Sequence, residues 1–430
     1  MIDINNYLNS FSNETKNPSL QAMEYFMNEY SNFEKEMKFI HIAGTNGKGS
    51  CVEMLNNILV CEGYKVGKFI SPHLISYNER ISINNANISS IELSNLIEEL
   101  SPKVDYYNST HDTKVTLFEL ETTIALLYFY RNNVDFVVLE TGLGGLFDCT
   151  NIISKPLICL ISSIGYDHMQ ILGNTLYDIA YQKAGIIKKG SHTLFFSNSD
   201  LVDLVFINKC KETNSTLHLI NQSSISNYSY DEIYQYFDYN NFSHIAVNLK
   251  GSIQVPNACL CIEAILILRD LGYKISEDSL RSGLSSVIHK ARFETLVKKP
   301  LVIFDGAHNE NAILNFKNSI NMYYANKKKC YIVSILEKKD YKKIISLLAN
   351  DEDSMFIFTS GNKEKGFVDG KVLCNIAKQY HAKNIHVMDL KNAINFVLQN
   401  NSNFVNFIVG SFYIYGDVIK HISNFKEDKG

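Results

Sequence analysis

The sequence predicts an α/β protein of two domains, and three observations carry that expectation. An apolar run at residues 39–43 ends abruptly in Gly44-Thr45-Asn46-Gly47-Lys48-Gly49-Ser50, and a helical pattern follows at once. Short β-branched runs alternate with apolar positions at helical spacing along most of the chain, the pattern of parallel strands joined by crossover helices. At 430 residues the chain is also long for one hydrophobic core.

Taken in order, a turn at Asn17-Pro18-Ser19 leads into helical spacing over residues 20–30. The glycine-rich stretch separates a strand from a helix over 51–62, and residues 65–70 read as a second strand. Pro72 stops that strand, and the polar mixture to residue 81 reads as a surface loop. Helices are predicted over 90–100 and 116–131. A buried parallel-type strand over 136–139 ends on Glu140, and another over 157–161 ends in Ser162 to His168. A helix over 175–187 carries Lys183, strands follow near 193–196 and 216–220, and the Tyr- and Asn-rich stretch 221–248 reads as β-rich. A helix over 257–270 is capped by Gly272. A seam falls near residues 286–291, which sets the domain limits at 1–288 and 289–430. Beyond it, five strands (301–304, 330–334, 355–359, 385–388, 404–410) alternate with helices. The first domain is therefore expected to be doubly wound around its phosphate loop, and the second to be a smaller Rossmann-like α/β unit.

Composition excludes several classes. Hydrophobic residues make up 46% and charged residues 20%, with a net charge of −4, which supplies no global drive toward nucleic acid or anionic membrane. The first residues lack a basic region followed by an apolar stretch, so no signal peptide is expected. No apolar run approaches the roughly 20 residues that span a bilayer. Nine cysteines without paired spacing fit reduced thiols and a cytoplasmic location.

Strand, glycine turn and helix in that order make an anion cradle. The turn aims backbone N–H groups inward, the helix N-terminus adds partial positive charge, and Lys48 adds a full one. Ser50 then faces a phosphate or a metal. In open α/β sheets ligands bind beyond the carboxyl ends of strands, where Glu140, Ser71 and the loop containing His168 all fall. Glu140, Ser50 and Ser71 supply the oxygens that Mg²⁺ prefers, whereas the His168 nitrogen is a softer ligand. Lys183 lies in an apolar helix end, where a lysine snorkels to solvent, pairs with a carboxylate or is modified; side-chain physics favours the first. Asp305, His308 and Asn309 follow the first strand of the second domain, with Asn309 readable as a helix cap. Arg292 at the seam suits a phosphate in transfer.

These residues resemble the folylpolyglutamate synthase/dihydrofolate synthase family, a branch of the ATP-dependent Mur ligase superfamily. The carrying motifs are residues 41–50, Ser-Pro-His-Leu and Asn-Glu-Arg-Ile (71–81), and Glu-Thr-Gly-Leu-Gly-Gly with Asp-Cys-Thr-Asn (140–151). Asp167-His168, Lys183 to Ile186, Arg292-Phe293-Glu294, Asp305 to Asn309 and Gly410 to Tyr413 complete the series. The resemblance implies ATP and Mg²⁺ as cofactors, with Thr45, Asn46, Gly47, Lys48, Gly49, Ser50, Asn257, Arg292 and Asp305 on the nucleotide. It implies Ser71, Glu140, His168 and a carbamoylated Lys183 at the metal, and His308 and Ser411 at glutamate and the reaction. The pterin pocket then draws on Pro18, Ser19, Thr116, Phe118, Glu119, Phe147, Asp148 and Cys149.

The implied reaction is ATP-dependent addition of L-glutamate to a folate, with dihydropteroate as a further acceptor, through an acyl phosphate. A monomer with small-molecule partners, neither nucleic acid nor membrane, is expected. Another Mur-type amino-acid ligase and a non-catalytic nucleotide-binding homologue are the alternatives. The chain departs from the family pattern at Leu146, where Arg is usual, at Lys290-Ala291, where Pro-Gly is common, and at Glu310, where Pro often stands.

Overall fold

The computed structural model describes residues 4–12, 19–349, 351, 353–361, 365–380, 382–400 and 403–427. It divides into two compact units, Met1–Asn248 with Val255–Val287, and Leu249–Gln254 with Ile288–Gly430. Pro18 lies outside the described residues.

The first unit is built on an eight-stranded sheet. In chain order its strands are β1 (Phe39–Ala43), β2 (Val66–Phe69), β3 (Ile81–Ile83), β4 (Ala86–Asn87), β5 (Phe136–Glu140), β6 (Ile158–Ile161), β7 (His192–Phe196) and β8 (Thr216–Ile220). They lie side by side as β4-β3-β2-β5-β1-β6-β7-β8. The pairs β2–β3 and β3–β4 are antiparallel, and every other pair is parallel. All five residues of β1 and of β5 are buried, as strands covered on both faces must be. From β1 the chain first builds one side of the sheet and returns as β5, then crosses to β6 and builds the other side. The carboxyl end of β1, flanked by β5 and β6, is therefore the switch point at which α/β sheets bind ligands. Strands β9 (Ile225–Tyr230), β10 (Gln235–Tyr239) and β11 (Phe242–Val247) form a separate antiparallel sheet, the β-rich stretch expected there.

The second unit holds six strands: β12 (Glu294–Lys298), β13 (Leu301–Asp305), β14 (Lys329–Val333), β15 (Met355–Thr359), β16 (Asn384–Met388) and β17 (Val405–Val409). Their order is β12-β13-β17-β14-β15-β16, parallel except for the β12–β13 hairpin. Here β17 lies between β13 and β14, so the switch point brings the ends of β13 and β17 together, with Asp305 on one and Ser411 just beyond the other.

The two-part α/β expectation holds, with local differences that have physical causes. The helix predicted over 90–100 runs Ser90–Thr110 through Pro102. Proline cannot donate to the carbonyl four residues back, but the Ser101 hydroxyl donates to Glu98 O at 3.2 Å instead. Edge strand β12 is not among the predicted elements; none of its residues is fully buried and it carries no apolar run beyond Leu296-Val297. Helices Asp200–Thr213 and Glu277–Ser286 were also absent from the expectation. The segment read as a loop after Pro72 contains a short turn of helix, Tyr77–Arg80, and then β3.

Candidate active site

The phosphate loop is held by the segment that follows β6. Thr45 N–H donates to Ser163 O at 2.7 Å, and the Thr45 hydroxyl donates to Gly165 O at 3.0 Å. Ser162 Oγ donates to Asn46 O at 2.8 Å, and Asn46 N–H donates to Ser163 Oγ at 3.3 Å. These bonds fix the turn before the helix Lys48–Glu62 begins, and that helix opens on Gly47 at φ +93°. A side chain at Gly47 is excluded twice. The left-handed backbone disfavours it, and its Cβ would lie 2.7 Å from Asn257 Oδ1. The same overlap places Asn257, from helix Gln254–Asp270, directly against the loop.

Two lysines meet on one backbone oxygen. Lys48 Nζ donates to Gly44 O at 3.1 Å and Lys183 Nζ donates to the same atom at 2.8 Å. Lys183 does not snorkel, as its helix position had implied. It is 3% exposed, because the Gly44 carbonyl offers its amine an acceptor inside the protein. Burial first, and then the charge of Lys48, push its pKa down to about 7, against the pull of Asp167 and Asp148.

Glu140 closes β5 with a buried carboxylate that accepts from Ser71 N–H at 3.3 Å, so two of the expected metal ligands are neighbours. His168 follows Asp167, whose charge is felt at Lys183, and adopts φ +50° with its backbone N–H donating to Asp167 Oδ1. Among the described residues no three His, Cys, Asp or Glu side chains form a cage for a metal ion. A single buried carboxylate with Ser71 next to it fits Mg²⁺, which keeps several waters and takes further ligands from phosphate.

The loop after β5 is organised by Asp148. Its Oδ2 accepts from Leu143 N–H at 2.7 Å, and its Oδ1 accepts from both the N–H and the hydroxyl of Thr150. Because the Thr150 hydroxyl spends its proton on Asp148, it must accept from His41, whose Nε2 lies 2.8 Å away. The buried His41 ring therefore carries its proton on Nε2, and burial pushes its pKa down to about 3. Thr116 and Glu119 serve as a reciprocal helix cap, with Thr116 N–H and Oγ both donating to the Glu119 carboxylate. Phe118 stacks on Phe69 at 5.7 Å, Cys149 is half-buried, and Phe147 is exposed. Ser19 is exposed just ahead of helix Gln21–Glu29.

One group here has no counterpart in the sequence expectations. Arg80 Nη1 donates to Glu121 Oε2 at 2.9 Å and Arg80 Nε donates to His73 Nδ1 at 2.9 Å, while Glu121 Oε1 is buried with no hydrogen-bond partner among the described residues. Burial pushes the Glu121 carboxyl up to about 7, against the pull of Arg80. The Glu at residue 121, two positions beyond the cap, was visible in the sequence, but nothing there placed it opposite Arg80.

In the second unit, Asp305 ends β13. Its carboxylate accepts from Phe293 N–H at 3.0 Å and Ala307 N–H at 2.8 Å. Burial lifts its pKa to about 6, opposed first by Arg292. The His308 Nδ1–H donates to Gly306 O at 2.7 Å. Asn309 is the cap of helix Glu310–Tyr324, accepting from Ala312 N–H. The Ser411 hydroxyl accepts from Tyr413 N–H at 3.2 Å.

A phosphate loop at a sheet's switch point, a strand-end carboxylate and a buried lysine together define a P-loop nucleotide-binding protein. Family models match in two places, the Mur ligase middle domain over residues 42–265 and the dihydrofolate synthetase C-terminal domain over residues 289–421. The Bacillus subtilis dihydrofolate synthase/folylpolyglutamate synthase is 33% identical over 417 residues, covering 94% of this chain and 95% of its own. The Lacticaseibacillus casei folylpolyglutamate synthase is 29% identical, covering 78% and 79%. The crystal structure of Thermotoga maritima folylpolyglutamate synthase matches with a TM-score of 0.83 at 28% identity, covering 98% of this chain and 96% of that one. The chain belongs to the folylpolyglutamate synthase/dihydrofolate synthase family of ATP-dependent, Mur-type ligases.

Proposed function

We propose that the protein joins the amine of L-glutamate to a carboxylate of a folate, at the expense of ATP, and accepts dihydropteroate in the same way. The observation that carries this reading is the pair of lysines on Gly44 O, beside a loop built for phosphate and within a chain related end to end to such ligases.

In this reading the acceptor carboxylate attacks the terminal phosphorus of ATP and ADP leaves, giving an acyl phosphate. The glutamate amine then adds to the acyl carbon, and phosphate departs from the tetrahedral intermediate. Thr45, Asn46, Gly47, Gly49 and Ser50 hold the phosphates through the loop and the helix end, and Lys48 offsets the charge that develops on the transferred group. Bound Mg²⁺ supplies further neutralisation at the phosphoryl oxygens, and Ser71, Glu140 and His168 are the residues to hold it. Lys183 joins them as a carbamate, formed when its neutral amine adds CO₂ and loses a proton. Asn257, Arg292 and Asp305 contact the nucleotide, and His308 and Ser411 serve glutamate and the reaction. Pro18, Ser19, Thr116, Phe118, Glu119, Phe147, Asp148 and Cys149 form the pterin side. Residues 1–288 make up the ATP-binding domain with its phosphate loop and pterin pocket, and residues 289–430 the glutamate ligase domain, which also lends Arg292 and Asp305 to the nucleotide. We take the working enzyme to be a cytoplasmic monomer without nucleic-acid partners; a stable dimer in sedimentation at micromolar concentration refutes the monomer.

The test is phosphate release from ATP with L-glutamate, comparing dihydropteroate, tetrahydrofolate and no pterin. Turnover with both pterins is the expected result. Turnover with tetrahydrofolate alone restricts the enzyme to polyglutamylation and makes Leu146 the first residue to examine. Turnover with neither, in a folded ATP-binding protein, overturns the reading.

A further inference from the structure

Arg292 is held more firmly than a surface arginine needs to be. Its two neighbours, Ala291 and Phe293, both adopt left-handed backbone conformations, at φ +59° and +46°. Residues without glycine's freedom keep such angles only where the surroundings enforce them. Here they are enforced on both sides. Ala291 N–H donates to Glu294 Oε2 at 2.7 Å, Gly306 N–H donates to Ala291 O at 2.9 Å, and Phe293 N–H donates to Asp305 Oδ2 at 3.0 Å. The backbone carrying Arg292 is thus pinned to the residues that end β13.

The side chain is met by an aromatic face. The Arg292 guanidinium carbon lies 4.4 Å from the centre of the Phe412 ring. The same ring meets the His308 imidazole edge-on, with centroids 5.3 Å apart. Phe412 is itself closely packed. It is 8% exposed, and a Cβ at Gly306 would fall 1.8 Å from its Cε1, so only glycine lets the ring lie so close to the strand end.

We propose that Phe412 is a positioning residue, whose ring face orients the Arg292 guanidinium for the ATP-dependent reaction. The proposal rests on the reading of Arg292 as a nucleotide contact and goes beyond it, since Phe412 itself touches no substrate in this scheme. A guanidinium over an aromatic face gains from the ring's quadrupole, and its N–H groups then point along its own plane rather than into the ring. Strain in the neighbouring backbone removes the remaining freedom, so little ordering is left for the moment of binding.

The test is a double-mutant cycle on the full chain, reading kcat/KM for ATP with L-glutamate and the preferred pterin. Phe412→Leu, which keeps bulk but removes the ring face, is expected to lower kcat/KM for ATP about tenfold while leaving the pterin KM unchanged. Phe412→Tyr retains the ring face and is expected to stay near wild type. In an Arg292→Gln background the Phe412→Leu effect should vanish, because its target is gone. If Arg292→Gln impairs ATP use and Phe412→Leu does not, or if Phe412→Tyr is as impaired as Phe412→Leu, the positioning role is overturned while the nucleotide contact stands. Additive losses in the cycle overturn it too. If Arg292→Gln leaves ATP use unchanged, the nucleotide reading of Arg292 fails, and the proposal fails with it. Should Phe412→Leu not fold, Phe412→Tyr and Phe412→Met decide between ring face and bulk.

Discussion

Glu121 makes the stability of the first unit depend on pH in a way that one substitution should remove. Its Oε2 accepts from Arg80 Nη1, its Oε1 is buried with no donor among the described residues, and its carboxyl is pushed from 4.5 up to about 7. The groups facing it are Arg80, which also holds His73, and the Cys149 thiol, which in turn feels Glu119 and Asp148. Between the two pKa values the folded chain binds this proton and the unfolded chain does not. The stabilisation from this group is therefore complete below the unfolded value and is lost as pH rises through the folded one. At about 1.4 kcal/mol per pH unit, the whole window amounts to roughly 3 kcal/mol. Glu121→Gln keeps the shape, and its amide oxygen still accepts from Arg80, but it cannot titrate. Urea unfolding at about pH 5 and about pH 8 should show wild type losing about 2 to 3 kcal/mol more than Glu121→Gln. Parallel pH profiles for the two proteins would refute the reasoning.

Three further outcomes follow from the same geometry. Lys48→Ala is expected to abolish phosphate release while leaving the melting transition in place, and wild-type turnover would remove the loop from the chemistry. Gly47→Ala combines a left-handed backbone, costing on the order of 1 kcal/mol, with a Cβ at 2.7 Å from Asn257 Oδ1; KM for ATP should rise about tenfold, and an unchanged KM contradicts the loop assignment. Asp148→Asn offers one acceptor oxygen where the loop uses two, so denaturant unfolding should show a loss of about 1 to 3 kcal/mol and the pterin KM should rise, whereas a neutral variant would mean that the loop holds itself without the carboxylate.

The parts legible in the sequence were those written in one short stretch. A strand, a glycine turn and a helix stand consecutively at residues 39–62, and Glu140 announces itself by ending an apolar run, so both the loop and the acid could be placed from local pattern. Lys183 was located but its environment was misjudged, because its acceptor, Gly44 O, lies 139 positions away in the chain. Arg80–Glu121 and Arg292–Phe412 were invisible for the same reason: each depends on which way two distant elements face, and a residue type alone carries no such information. Helix Asp200–Thr213 differs in kind. Its buried Val202, Val205, Phe206 and Cys210 recur at helical spacing, and the signal was present but crowded by the flanking strands.

Residues Leu249–Gln254 belong to the second unit although the chain on either side of them belongs to the first. Ser252 N–H donates to Ser319 Oγ at 3.0 Å and its hydroxyl donates to Asn315 O at 3.1 Å, tying this short piece to helix Glu310–Tyr324. During synthesis the piece leaves the ribosome before its partners exist, and the helices that finish the first unit emerge in between. Neither unit corresponds to one uninterrupted stretch of message. A gene fragment starting at the seam encodes the second sheet without its earliest-made fastening, so grafting or splitting this protein calls for carrying six displaced residues along with the rest.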